Sequence, residues 1–292
     1  MYLPDIELHE AATLDETAVA LKRYGPDARL LAGGTDLLVD LKTGRVAVEH
    51  LVSINQIDTL RGVSEANDGL RIGALTTVTQ LDESPIIRER FAPLLDATSK
   101  MAAHQIRNRA TVGGNIASAV PCADLPPILT AMNASLELRS KSGQRQVRLD
   151  EFFTGPRETV RRDDELLTTI LVPKPPPGFG AAYARFGLRD GNTIAVAAVA
   201  ASLFLDTDGT VRKAGIVLGA VAPIPKLVES AGVLLVGQSP DEDVFRAAAK
   251  AAMEAAQPIS DVRGSADFRR ELVGVLTRRA LSTALSRAKE TR

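Results

Sequence analysis

The sequence reads Leu30-Leu31-Ala32-Gly33-Gly34-Thr35-Asp36-Leu37-Leu38 at one place and Arg109-Ala110-Thr111-Val112-Gly113-Gly114-Asn115-Ile116-Ala117-Ser118 at another, and these two stretches carry most of the information about its fold. Each is predicted to run from a strand-like segment into a glycine pair and then into a small polar residue. Because glycine lacks a Cβ atom, we expect both backbones to take positive φ and to admit a ligand closely. Successive amides in such turns can point at one anion. The pair predicts a clamp on a diphosphate, and hence a nucleotide cofactor; the alternative is two ordinary tight turns.

Composition narrows the class of protein. A chain of 292 residues can form two domains and a large core. Its content of 45% hydrophobic and 24% charged residues is typical of a globular protein. A formal net charge of −1 gives no reason to expect nucleic acid or an anionic membrane as a partner. No apolar run approaches the roughly 18 residues that span a bilayer, and Met1–Asp5 shows no signal-peptide pattern. We therefore expect a cytoplasmic protein without membrane insertion.

Cysteine and histidine are scarce. Cys122 is the single cysteine, which excludes an intrachain disulfide and a thiolate-held iron–sulfur cluster within this chain, and argues against a structural zinc site. The three histidines, His9, His50 and His104, are far apart in sequence, and no metal site is predicted. If the chain handles electrons, it must do so with an organic cofactor.

A proline-rich linker divides the chain. Thr13–Gly25 reads as a helix with a capping box of Thr13 and Glu16, and short helices and strands follow it. Pro173–Gly178 is the clearest linker, so we predict domains at residues 1–175 and 178–292. Beyond it, strand candidates and then alanine-rich helices predict an α+β domain; the strands are expected at 195–205 and 211–220, joined by a turn at 206–209, and the helices near 241–256 and 265–288.

Common nucleotide and hydrolase motifs are absent from the sequence. It contains no GxGxxG dinucleotide fingerprint, no GxxxxGK[ST] phosphate loop and no GxSxG elbow. A Rossmann-type or P-loop site therefore has no support, and the glycine pairs need another explanation.

The two glycine stretches resemble motifs of a known family. Residues 31–37 and, in a longer and more specific form, residues 105–116 look like the two FAD motifs of the FAD-binding medium subunits of molybdenum hydroxylases, of the xanthine dehydrogenase and carbon monoxide dehydrogenase type. The resemblance extends over essentially the whole chain, including Ala123–Pro127, Phe153–Pro156 and Arg189–Ala195, and looks closest to bacterial xanthine dehydrogenase subunits.

The resemblance implies an α+β fold and a function. It implies an FAD-binding domain of two α/β subdomains (PCMH-type), then a C-terminal α+β domain with a three-stranded antiparallel sheet and helices. It implies that FAD accepts electrons from a [2Fe–2S] small subunit, which receives them from a molybdopterin large subunit, and passes them to NAD+ or another acceptor. A dimer of heterotrimers is the implied assembly.

The resemblance also implies which residues bind FAD, and it implies no catalytic side chain. Residues 31–37 would wrap the diphosphate, residues 111–115 would form its other wall with the Ser118 hydroxyl, and Asp124 would bind ribityl or ribose hydroxyls. Leu167 would pack on the flavin or adenine, and Arg185 would lie near the flavin ring beside the loop 188–194. The implied contacts are Leu31, Ala32, Gly33, Gly34, Thr35, Asp36, Leu37, Thr111, Val112, Gly113, Gly114, Asn115, Ser118, Asp124, Leu167 and Arg185.

Simpler interpretations stay open at this point. Asp36 and Asp124 could only cap helices, Arg185 could be a solvated strand residue, and Leu167 could be core. Two rival functions are a self-contained flavin oxidase of the vanillyl-alcohol type and a cofactor-free scaffold for partner subunits. The oxidase would need a substrate domain, for which the residues after the linker leave little room; the scaffold would be colourless when purified.

Overall fold

The elements come from a computed structural model, which describes residues 4–292. The strands are β1 Glu7–Glu10, β2 Ala28–Leu31, β3 His50–Ser53, β4 Val63–Ala66, β5 Gly69–Gly73, β6 Ser135–Ser140, β7 Gly143–Arg148, β8 Phe153–Gly155, β9 Glu158–Thr159, β10 Leu166–Pro173, β11 Phe179–Phe186, β12 Ala197–Leu205, β13 Val211–Gly219 and β14 Lys226–Leu227. The helices are α1 Leu14–Tyr24, α2 Leu37–Lys42, α3 Val78–Glu83, α4 Pro85–Arg90, α5 Pro93–Thr98, α6 His104–Arg107, α7 Val112–Ala117, α8 Leu125–Ala131, α9 Glu229–Val233, α10 Glu242–Ala255 and α11 Ala266–Glu290.

The N-terminal sheet is parallel and has the strand order β1-β3-β2. Helix α1 connects β1 to β2, and it begins as predicted: the Thr13 hydroxyl accepts the Glu16 N–H at 3.1 Å. The Glu16 carboxylate reaches back one residue further than in a standard capping box, to the Ala12 N–H at 2.8 Å. Strand β2 ends at the first glycine pair, so this sheet fixes where that loop lies.

The second sheet is antiparallel and has the strand order β4-β5-β10-β6-β7. The sequence pattern predicts strands at about 70–73, 135–139 and 167–172, and these are confirmed as β5, β6 and β10. Helices α3 to α8 run between β5 and β6. Helices α4 and α5 begin at a proline and α8 has one as its second residue, where no N–H partner is needed. The two sheets correspond to the two subdomains that the family resemblance implies before the linker.

The third sheet has four strands, β11-β12-β13-β14, where three were expected. The predicted hairpin is confirmed as β12 and β13, which pair antiparallel. The extra strand β14 is only two residues long and pairs with Val217 and Leu218 of β13. So short a segment has no periodicity, which is why the sequence pattern did not predict it. The predicted helices are confirmed as α10 and α11.

The third sheet has packing partners on both of its faces. One face packs on α11 and α9, and α10 packs against these two helices in the same core. The other packs on α5 and α8, and its Ala181, Tyr183 and Ala198 join the largest hydrophobic core together with residues of the second sheet. Burial on both faces explains why β12 is apolar at every position except Ser202.

An ion pair adds to this junction: the guanidinium of Arg287 in α11 donates to the Asp96 carboxylate of α5 at 2.6 and 2.9 Å. The segments before and after residue 175 therefore share one core, and the boundary at 175/178 stays a prediction. The first three residues of the predicted N-terminal domain lie outside the described part of the chain. None of the helices in residues 4–292 combines the length and the hydropathy that crossing a bilayer requires.

Candidate functional site

The first glycine pair forms a turn between β2 and α2. Gly34 has φ +74°, a conformation that L-residues with a Cβ rarely adopt, so the expectation of positive φ is confirmed there. The carbonyl of Ala32 is held by the Asn55 side-chain amide at 3.1 Å. Within residues 4–292, the backbone N–H groups of the five consecutive residues Gly33 to Leu37 have no protein acceptor. Such a run of unsatisfied amides at a helix start is suited to binding an anion.

The two glycine stretches touch each other at Gly33. A Cβ atom added to Gly33 would lie 2.0 Å from the carbonyl oxygen of Arg109 and 3.2 Å from Cα of Ala110. Only glycine allows this approach. The sequence separates these residues by more than 70 positions, and the fold brings them into backbone contact.

The second glycine pair differs from the prediction. It does not follow a strand, and neither Gly113 nor Gly114 has positive φ; both lie in the first turn of α7, with Thr111 as its N-cap. Gly113 is required for another reason, because an added Cβ would lie 2.6 Å from the Cβ of Ala74. Because Gly113 and Gly114 lie in a helix, their backbones have negative φ and do not take the left-handed conformation of Gly34.

The amides of this second stretch are already used inside the protein. The N–H groups of Val112 and Gly113 donate to the carbonyls of Thr76 and Ala74, both at 2.9 Å. Those of Gly114 and Asn115 donate to the Thr111 hydroxyl and carbonyl at 3.1 and 2.9 Å. Backbone donors for an anion therefore come from the first loop, and the second stretch can contribute side chains and close backbone packing.

Asn115 has a structural role that the sequence did not reveal. Its side-chain oxygen accepts the N–H of Leu125 at 3.3 Å and so caps α8. Its side-chain NH2 has no acceptor among the described residues and is the group that remains for a ligand. The Ser118 hydroxyl makes only a long contact, at 3.5 Å, to the Asn115 carbonyl.

The caps proposed for Asp36 and Asp124 are wrong in detail. Both occupy the N-cap position of a helix, α2 and α8 respectively, but neither side chain makes a capping hydrogen bond. In α8, Asn115 supplies that bond instead. The Asp124 carboxylate is thereby left for other partners.

Asp124 is at the centre of a buried polar network that joins α8 to β11. Its carboxylate accepts the Tyr183 hydroxyl at 2.7 Å and the Arg185 guanidinium at 3.3 Å. Burial raises the pKa of Asp124 to about 6, opposed by the positive charge of Arg185 and the Tyr183 hydrogen bond. Burial likewise raises the pKa of Tyr183 well above its usual range.

Arg185 is not the solvated strand residue that one interpretation allowed. Its side chain is 3% exposed, and its guanidinium also donates to the carbonyls of Lys100 and Thr193 at 2.8 and 2.7 Å. It therefore ties the loop 188–194 to the FAD-motif segment. Contact of Arg185 with the flavin ring stays a prediction, and its charge is balanced by Asp124.

Leu167 lies in β10 and is 4% exposed, within the largest hydrophobic core. It is core, as the simpler interpretation had it, and its contact with a cofactor stays a prediction. Leu188 and Ile194 of the loop 188–194 are more than half exposed and available to a partner or ligand.

Comparison with known proteins gives the family. The model of the FAD binding domain in molybdopterin dehydrogenase matches residues 4–175, and that of the CO dehydrogenase flavoprotein C-terminal domain matches residues 181–284. This chain belongs to the FAD-binding medium subunits of the molybdenum hydroxylases. The medium subunit is thus an oxidoreductase subunit and binds FAD.

Two curated relatives match the medium subunit over nearly its whole length. The carbon monoxide dehydrogenase medium chain of Hydrogenophaga pseudoflava is 35% identical, over 98% of this chain and 99% of the relative. The putative xanthine dehydrogenase FAD-binding subunit of Escherichia coli K12 is 34% identical, over 96% of both. Identities of 35% and 34% do not decide between the carbon monoxide dehydrogenase type and the xanthine dehydrogenase type.

Solved structures agree with the fold. Carbon monoxide dehydrogenase of Hydrogenophaga pseudoflava superposes with a TM-score of 0.94 at 36% identity, over 98% of this chain and 99% of that one. Quinoline 2-oxidoreductase of Pseudomonas putida 86 superposes with a TM-score of 0.91 at 30% identity, over 99% of both chains.

The residues of the medium subunit fit its cofactor. FAD carries a diphosphate, and the run of amides from Gly33 to Leu37, without protein acceptors in residues 4–292, provides donors for one. The positive φ at Gly34 and the close approach at Gly33 give this run its shape.

Sequence reasoning missed a support behind the first loop of the medium subunit. Asp40 in α2 is 4% exposed and pairs with both Arg45 and Arg157. Arg157 lies with Pro156 in the turn after β8, and its N–H donates to the Ala119 carbonyl at 2.8 Å, just beyond α7. That turn thus links α2 to α7. The Thr-Gly-Pro stretch was noticed in the sequence, but nothing in it indicated Asp40 as a partner.

A second missed residue is Arg263, from the loop before α11. It lies beside Cys122. The pKa of the Cys122 thiol is raised, chiefly by burial and also by the charges of Asp124 and Asp36, and the charge of Arg263 opposes this shift. The C-terminal part of the medium subunit thus places the Arg263–Asp261 ion pair close to the FAD motifs. No local pattern around Arg263 signals this, because the contact depends on the tertiary fold.

Proposed function

We propose that this medium subunit carries electrons from a [2Fe–2S] small subunit, through its FAD, to NAD+ or another acceptor, while a molybdopterin large subunit oxidises the substrate. The observation that carries the proposal is the run of available amides at Gly33–Leu37 packed against the second glycine stretch. The single cysteine supports the division of labour, because four cysteines are needed for an ordinary [2Fe–2S] cluster. A dimer of heterotrimers, with the medium subunit in each half, is part of the proposal.

The protein groups bind and orient the cofactor, which supplies the redox chemistry when bound. The amides of Gly33 to Leu37 would donate hydrogen bonds to the diphosphate, and the Asn115 side-chain amide would add a further donor. The Asp124–Tyr183–Arg185 network joins α8 to β11 and would position the loop 188–194 beside the flavin ring. No side chain needs to act as a general acid or base.

Neither rival function has an observation in its favour. A vanillyl-alcohol-type oxidase would contain its own substrate domain, whereas the chain aligns from end to end with medium chains of multi-subunit enzymes. A cofactor-free scaffold gives no reason for the five available amides within residues 4–292. The relatives are named for carbon monoxide and xanthine, which supports placing substrate choice in another subunit.

We expect the purified subunit to be yellow, with acid precipitation releasing all of its flavin as FAD. No histidine lies next to the first glycine loop in sequence for covalent attachment. Isolated, the subunit should not oxidise xanthine, an aldehyde or carbon monoxide, whereas the complex with both partner subunits should reduce its acceptor in the presence of its substrate.

The measurements are absorbance before and after precipitation, and dye reduction by the isolated subunit and the complex. A colourless protein that takes up no added FAD contradicts FAD binding. Substrate oxidation by the isolated subunit at the rate of the complex contradicts the division of labour.

A further inference from the structure

Three titratable side chains far from the FAD motifs converge on one point. The imidazole Nε2 of His9 lies 3.1 Å from Nδ1 of His50. The Glu7 carboxylate Oε2 lies 3.8 Å from the first nitrogen and 3.4 Å from the second. Among residues 4–292 this is the one group of three possible metal ligands whose ligand atoms lie this close together.

The strand register explains the convergence. Glu7 and His9 are two residues apart in β1 and so point to the same face of the sheet. Glu7 pairs with His50 of the neighbouring parallel strand β3, which places the His50 side chain on that face as well. No sequence pattern indicated this cluster, because His9 and His50 are 41 positions apart.

We propose that Glu7, His9 and His50 form a binding site for a divalent transition-metal ion, with Zn2+ as the ion it fits best. Zn2+ is held by imidazole nitrogens and carboxylate oxygens at about 2.0–2.2 Å, so neighbouring ligands of a tetrahedral ion are about 3.4 Å apart. The three observed separations, 3.1, 3.4 and 3.8 Å, bracket that value. When the ion binds, the proton of the His9–His50 hydrogen bond moves to the other nitrogen of its own ring, and both facing nitrogens then bind the ion.

The two imidazoles are held in place before any ion binds. The ring of Tyr24, at the end of α1, stacks on His9 at 4.7 Å and packs on His50 at 3.9 Å between ring centroids. The side chains of His9 and His50 are only 23% and 18% exposed, so their rotamers are restricted. An ion bound here would join β1, α1 and β3 through side chains, and would stabilise the N-terminal sheet.

The site is separate from the FAD motifs. His50 pairs with Ala28 at the start of β2, whereas the glycine loop follows Leu31 at its end. Three residues of strand correspond to about 10 Å. Zn2+ binding should therefore leave the flavin content of the subunit unchanged.

The test is equilibrium dialysis of the full FAD-loaded subunit, without a histidine tag, against Zn2+, followed by metal analysis. We expect one Zn2+ per chain and a rise of a few degrees in the thermal midpoint at saturating Zn2+. His9→Ala and His50→Ala should each weaken binding at least about tenfold, since even the outer partners of metal ligands have effects of that size. His104→Ala is the matched control, because His104 is exposed and elsewhere, and should bind like the wild type.

Glu7→Gln keeps the inference testable if the histidine variants fold poorly. The Glu7 side chain is 66% exposed, so its change should leave the fold intact and still weaken Zn2+ binding. The inference is overturned if the wild type takes up no Zn2+, if Glu7→Gln and the two β-strand histidine variants all bind as the wild type does, or if His104→Ala loses the ion.

Discussion

Replacing Gly33 with alanine is expected to remove FAD from the medium subunit. The new Cβ atom would lie 2.0 Å from the Arg109 carbonyl oxygen, so the two glycine stretches must move apart. Overpacking of this kind costs about 1–3 kcal/mol of stability. The larger effect is on the cofactor, because hydrogen bonds to a charged group are worth about 1.5–3 kcal/mol each. Misplacing two of the amides between Gly33 and Leu37 lowers FAD affinity at least about a hundredfold.

Flavin fluorescence titration of the apoprotein measures this affinity, and thermal unfolding reports the fold. Gly44→Asn is the matched control: Gly44 follows α2, has φ +69° and has open space around its Cβ position. Asparagine tolerates that conformation, so the control should bind FAD normally. Wild-type FAD affinity in Gly33→Ala would show that the contact between the two stretches is not part of the binding site.

Replacing Arg185 with methionine is expected to destabilise the protein by about 3–5 kcal/mol at pH 8, which is the usual effect of removing one partner of a buried ion pair. The change leaves the Asp124 carboxylate, 9% exposed, without its cation. In an Asp124→Asn background the same change should cost less, because no unpaired carboxylate remains. Urea unfolding of the wild type, the two single variants and the double variant measures this coupling, and strictly additive effects would contradict it.

The same network gives a pH dependence. The pKa of Asp124 is raised by burial to about 6 from 3.8, so the folded protein keeps a proton that the unfolded chain has lost between these values. The stability contributed by this proton is present below about pH 4 and is lost as pH rises through about 6. Relative to Asp124→Asn, the wild type should lose up to about 3 kcal/mol over that range, at about 1.4 kcal/mol per pKa unit. If the free energy of unfolding has the same pH dependence in the wild type and in Asp124→Asn, the proton on Asp124 does not contribute to stability.

Local signals in the sequence were sufficient for many elements. The Thr13 cap defined α1, the turn at 206–209 defined the β12–β13 hairpin, and alanine-rich periodicity defined α10 and α11. These features depend on residues close together in the chain, where capping, turn chemistry and periodicity act directly. The family motifs then identified the two segments that meet at Gly33.

Features that depend on tertiary contacts could not be predicted. Gly-Gly in residues 113–114 has the same local sequence signal as Gly-Gly in residues 33–34, but the pairing of Val112 and Gly113 with Thr76 and Ala74 makes it a helix start. The position of Asp124 before α8 suggested a helix cap, yet the Asn115 side chain makes that capping bond. The Asp124 carboxylate instead accepts hydrogen bonds from Tyr183 and Arg185. The convergence of His9 and His50 likewise required the register of two strands.

The central claim is that the amides of Gly33 to Leu37 hold the FAD diphosphate. A crystal structure of the FAD-loaded subunit measures it directly, through the distances from those five nitrogens to the diphosphate oxygens. We predict that most of them lie within about 3.2 Å, the range of an N–H···O hydrogen bond. A diphosphate bound elsewhere, with these amides facing water, would contradict the account.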